Sequence, residues 1–184
     1  MRSRRGLAAS LVFLLALPLT ALCEALFGTG TGPVIHGALA LGSALMAFAV
    51  FDFDTPKWAT WVTSASVGVL AGVFFLQGLS ELIPNAALAE LAYHLLGQWL
   101  EGGLVELFMA WCVLVWVVDA QVRAKTLGIV AMATVASVRV YSHVLAYQGT
   151  SLDAQAPMLK VLWLLPFVWL LFESMQKREA PIRR

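Results

Sequence analysis

The stretch VIHGALALGSALMAFAV FDFDTPK WATWVTSASVGVLAGVFFLQGLSEL, residues 34–82, decides the fold. Two apolar blocks, Val34 to Phe51 and Trp58 to Leu82, flank a short polar connection that holds Asp52, Asp54, Pro56 and Lys57. An apolar stretch of ~18 residues or more, rising ~1.5 Å per residue as a helix, reads as a crossing of a ~30 Å hydrocarbon layer. The acids and the proline end one such helix and start the next. The expected unit is therefore a membrane hairpin.

Outward from this hairpin the same grammar repeats. Upstream, Gly6 to Phe27 is a first apolar block led by Arg2, Arg4 and Arg5, and the turn-rich Gly28-Thr29-Gly30-Thr31-Gly32-Pro33 joins it to the second. A basic start, an apolar run and small residues around Ala21 to Ala25 also describe a cleaved leader, but the run exceeds the usual ~7–15-residue apolar region of a leader. Leu22 before Cys23 also lacks the small side chain of a lipoprotein cleavage site. The block is read as a first span, with cleavage as the alternative. Downstream, residues 104–120, 126–147 and 159–175 are three more apolar blocks. The expectation is an all-α, polytopic membrane helix bundle of about six transmembrane helices (6–27, 34–51, 58–82, 104–120, 126–147, 159–175) in a single integral membrane domain, residues 1–184.

Composition agrees with lipid as a solvent. Hydrophobic residues make up 60% of the chain and charged residues 12%, with a mean hydropathy of +0.82, where a soluble protein carries ~25% charged residues. A formal net charge of +1 argues against a nucleic-acid partner. Cys23 and Cys112 lie in apolar runs and suggest neither a disulfide framework nor a metal-type pair. The expected partners are the lipid bilayer and either further copies of the chain or a larger membrane complex. Ser64, Gly68 and Gly72, at four-residue steps, form a small-residue face on which another helix can pack, within the chain or between chains.

The least regular stretch is 85–103. Glu90, His94, Gln98 and Glu101 share one helical face, opposite Ala and Leu, before the break at Gly102-Gly103. An amphipathic segment over 85–101 either lies in the outer interface or is re-entrant and turns its polar stripe into a cavity.

Lysine and arginine placement orients the bundle. When the helix ends alternate in and out, every Lys and Arg falls on one side except Lys160 and the intra-span Arg139. The positive-inside rule makes that side cytoplasmic, with both termini inside a bacterial-type inner membrane. Trp58, Trp61, Trp99 and Trp163, near block ends, suit the interfacial aromatic belts.

In this orientation all three histidines, His36, His94 and His143, lie in the outer half together with Glu24, Glu81, Glu101 and Glu106. Nothing comparable is expected on the inner side. Arg139, deep in the fifth span, needs a carboxylate, and Glu24, Glu81 and Glu106 are candidates at similar depth. Ionisable groups inside a span cost ~2.5–3.5 kcal/mol each on insertion scales, so such a cluster points to function. A faint echo links Leu19-x-x-Leu22-Cys23-Glu24-x-Leu26 to Leu76-x-x-Leu79-Ser80-Glu81-x-Ile83, with His36 and His94 following their respective glutamates.

Three readings follow. In the leading one, Glu24, Glu81, His94, Glu101, Glu106, Arg139 and His143 line an outward-facing site for a proton-linked or small-solute transport or permeation protein, since histidine titrates near neutral pH and desolvation raises a carboxyl. In the second, His36, His94 and His143 supply ligands for haem or a transition metal in a redox subunit. In the third, the polar groups satisfy one another inside a non-catalytic membrane anchor or assembly factor. No zinc-protease helix, phosphate loop or glycine-rich dinucleotide turn is present, and Ser64-Ala65-Ser66-Val67-Gly68 does not make an intramembrane serine-protease motif. An enzyme is the less favoured expectation.

Overall fold

Proline and asparagine set the starts of the helices that begin at Gly32, Lys57, Ala86 and Leu165, while Pro18 lies inside the first helix. The computed structural model describes residues 2–27, 32–83, 85–92, 104–119, 125–149 and 164–176. They form α1 (Arg4–Phe27), α2 (Gly32–Ala49, continued by a tighter turn Val50–Asp52), α3 (Lys57–Leu82), α4 (Ala86–Ala92), α5 (Leu104–Asp119), α6 (Lys125–Tyr147) and α7 (Leu165–Met175). The described residues contain no strand, so the chain is all-helical there.

Pro33 and Pro166 occupy first turns, where a missing N–H costs nothing. Gly32-Pro33 therefore opens α2 instead of closing the preceding turn. Pro56 caps α3, its carbonyl accepting from the Thr60 backbone N–H at 3.0 Å and the Thr60 hydroxyl at 3.2 Å. At the other end Ile83 turns extended (φ −108°, ψ 112°), the conformation a following Pro84 imposes. Asn85 then caps α4, its Oδ1 accepting from the N–H groups of Ala87 (3.0 Å) and Leu88 (3.4 Å). Of the amphipathic stretch 85–101, the structure describes this short helix against α3; residues 93–103 lie outside the described set. Of the block 159–175, the described helix is Leu165–Met175.

The packing order is cyclic. α1 lies on α2, α2 on α3, α3 on α5, α5 on α6, α6 on α7, and α7 returns to α1. Phe13 stacks on Phe167 at 3.8 Å while Gly6 meets Ser174, so α1 and α7 run antiparallel. This seam is the joint of the ring that no connecting segment bridges. One core draws on all six long helices: Ala9, Met46, Val50, Val67, Val113, Trp116, Ala131, Met132, Trp169 and Leu170 belong to it. An edge-to-face series fills its centre, Phe53 to Trp116 at 5.3 Å and Trp116 to Trp169 at 5.7 Å.

Outside the core the helices are apolar where a soluble protein would be polar. Leu11, Leu15, Leu22 and Leu26 make an exposed stripe down α1, and Trp58, Trp61, Val69, Phe75 and Leu82 are exposed on α3. Two helical stretches, Gly32–Asp52 and Lys57–Leu82, are long and apolar enough to cross a membrane, yet only 39% and 33% of their most apolar windows are buried inside the protein. The core helix of a soluble protein would be mostly buried. Among the described residues these are the two stretches long and apolar enough to cross, fewer than the expected six.

The small-residue face does not pack within the described chain. Nothing stands within 4 Å of a Cβ built on Gly68 or Gly72, because α3 turns Thr63, Ser66, Val67 and Val73 inward instead. Gly128 is the opposite case, since a Cβ there would lie 2.7 Å from both Trp169 and Val117. Gly128→Ala should therefore destabilise the detergent-solubilised protein by ~1–3 kcal/mol through overpacking. Gly72→Ala should leave stability unchanged or raise it by ~0.5–1 kcal/mol. Thermal unfolding of the two variants side by side checks the contrast.

Candidate functional site

The ring brings chemically active residues to both of its ends. At one end, α2 begins and α3 finishes. There the His36 ring, on the second turn of α2, reaches across to Glu81, on the last turn of α3. Its Nδ1 stands 3.1 Å from Glu81 Oε1 and 3.2 Å from Oε2. When that nitrogen carries a proton it donates to the carboxylate, and the contact becomes a full ion pair when both ring nitrogens are protonated. Glu81 is at the exposed rim and His36 is half-buried, stacked on Phe74 with its Cβ 3.3 Å from the Cβ position of Gly78. The Glu81 carboxylate lies over Gly32, where a side chain would displace it from its present position.

Helix position places other expected residues at the same end. Glu24 is in the last turn of α1, Glu106 in the first turn of α5 and His143 close to the end of α6, with Arg139 one turn deeper. The side chains of Glu24, Glu106, Arg139 and His143, and all of His94 and Glu101, lie outside the described residues. The pair that is described crosses the faint repeat, joining the histidine of its first half to the glutamate of its second. Sequence reasoning treated His36 only as a metal or haem ligand and missed it as Glu81's partner. Among the described residues, no three His, Cys, Asp or Glu side chains gather in a metal-binding arrangement.

The opposite end corrects the expectation that no polar cluster forms there. Glu173, in the last turn of α7, is completely buried, and Arg2 Nη1 lies 3.7 Å from its Oε2. The same guanidinium lies 3.9 Å from Asp54 and 5.3 Å from the centroid of Phe53. The backbone N–H groups of Arg2 and Ser3 donate to the Ser174 carbonyl at 3.1 and 3.3 Å. The Ser3 hydroxyl donates to Asp52 at 2.6 Å and accepts from the Gly6 N–H at 2.8 Å. The start of the chain, the α2–α3 connection and the end of α7 are thus tied together. The sequence carried one signal for this: a glutamate inside the last apolar block, a residue type that lipid-facing surface tolerates poorly.

Comparison with protein-family models, curated proteins and solved structures finds no match to this chain.

Proposed function

We propose that this chain is a multi-pass membrane protein in which the six long helices span the bilayer, with both termini cytoplasmic, and that it is a small transport or permeation protein whose proton-linked site opens outward. The observation that carries the reading is the His36–Glu81 contact. It is an acid–base pair held between the two helices long and apolar enough to cross a membrane, at the end where both meet solvent. An imidazole and a carboxylate in hydrogen-bond contact are a donor and an acceptor for the same proton, which is the arrangement a proton path needs.

Other features support the same reading. The described cations Arg2, Arg4, Arg5, Lys57 and Lys125 belong to the start of the chain and the first residues of α3 and α6, hence to one end of the ring, which suits a cytoplasmic face. His36, Glu81 and Glu90 belong to the opposite end. Glu24, Glu106, Arg139 and His143 are proposed to complete the site from α1, α5 and α6.

Proteoliposomes loaded with a pH-sensitive dye and driven by a potassium diffusion potential test the proposal. Wild-type protein should conduct protons above the level of empty liposomes, and Glu81→Gln and Arg139→Ala should each lower that flux by about tenfold or more, within the ~10²–10⁴ range that a positioned proton-transfer group contributes. Wild-type vesicles no leakier than empty ones, or variants that conduct as wild type does, would overturn it.

A further inference from the structure

The buried cluster at the cytoplasmic end of the proposed bundle has a place in the ring that packing alone does not explain. Every other joint in the ring lies between helices that follow one another along the chain, apart from the short α4; the α1–α7 seam joins the first and last described helices through side chains and a few hydrogen bonds. Its apolar part is the Phe13–Phe167 stack. Its cytoplasmic edge is the contact of Arg2 with fully buried Glu173, beside the donation of Arg2 and Ser3 N–H groups to Ser174. A buried ion pair contributes little net stability compared with well-packed apolar side chains, and its best-attested uses are in setting register or switching between states. Charge at the one joint free to part is hard to account for as packing.

We propose that Arg2 and Glu173 form a latch that holds the α1–α7 seam shut, closing the cytoplasmic end of the ring. Asp52 and Asp54 anchor residues 2 and 3, the first through Ser3 and the second through Arg2, so that the α2–α3 connection moves with them. Opening consists of Arg2 leaving Glu173 for water and Asp54, which uncovers the α1 face around Ala9, fully buried in the closed ring. The latch rests on the membrane-spanning reading above but requires no particular solute.

Impermeant maleimide labelling of inside-out membrane vesicles tests it. In a chain with Cys23 and Cys112 replaced by alanine, Ala9→Cys reports the cytoplasmic seam, and Val73→Cys, buried nearer the other end of α3, reports general loosening. Glu173→Gln should raise the labelling rate of Ala9→Cys by about tenfold or more, a change equivalent to ~1.4 kcal/mol in the open–closed equilibrium. Val73→Cys should be unaffected. Arg2→Gln combined with Glu173→Gln should label no faster than the single variant, since two residues of one latch are not additive. An unchanged Ala9→Cys rate, a parallel rise at Val73→Cys, or multiplicative effects in the double variant would overturn the latch. Because labelling needs no flux, it separates failure of the latch from failure of the transport reading.

Discussion

Trp169→Ala should lower the stability of the purified protein by ~3–5 kcal/mol, the range for truncating a fully buried large aromatic side chain. Trp169 is completely buried, its ring edge-to-face with Trp116 and close against Gly128, so one side chain joins α7 to α5 and α6. The loss includes the van der Waals contacts that the indole makes in the core. Chemical unfolding in mixed micelles measures it. Phe172→Ala, on the exposed face of the same helix, is the control and should change stability by less than ~0.5 kcal/mol. Equal losses for the two would mean that the ring is not packed around Trp169.

Arg2→Ala should cost a similar ~3–5 kcal/mol, for an electrostatic reason. It removes a cation 3.7 Å from the Glu173 carboxylate, which stays buried, and it takes the guanidinium off Phe53. Replacing both partners, as Arg2→Met with Glu173→Leu, should recover most of the loss because no buried charge remains. Unfolding midpoints of the single and double variants decide this: a double variant as unstable as Arg2→Ala would show that the interaction is not one of paired charges. The seam-labelling experiment asks a different question of the same pair, namely whether the ring opens there.

Much of the architecture was legible in the sequence. Proline and the residues around it announce the bounds of α3, with Pro56 before and Pro84 after, and the apolar blocks announce helices because their length suits no strand. The ring order was not legible. It depends on α7 returning to α1, a contact between opposite ends of the chain that no local pattern encodes. Glu173 was visible only as an acid inside the last apolar block, and its burial comes from Arg2 and Ser3 folding back on the last turn of α7. The small-residue pattern of Ser64, Gly68 and Gly72 was visible but misleading as an intrachain packing signal, since its glycines have no neighbour in the described ring. His36 and Glu81 were each visible as polar residues near apolar helix ends. Their meeting required the relative register of α2 and α3, which a close approach at Gly32 and Gly78 adjusts.

The most direct test of the central claim, a membrane-spanning ring with the His36–Glu81 pair on its outer face, is sidedness. In a cysteine-free chain, Ala87→Cys on α4 and Lys57→Cys at the start of α3 are both exposed substitutions at opposite ends of α3. Impermeant maleimide applied to intact cells should label Ala87→Cys at once and Lys57→Cys only after the membrane is permeabilised. Labelling of both positions from the same side, or of Lys57→Cys alone in intact cells, would contradict the account.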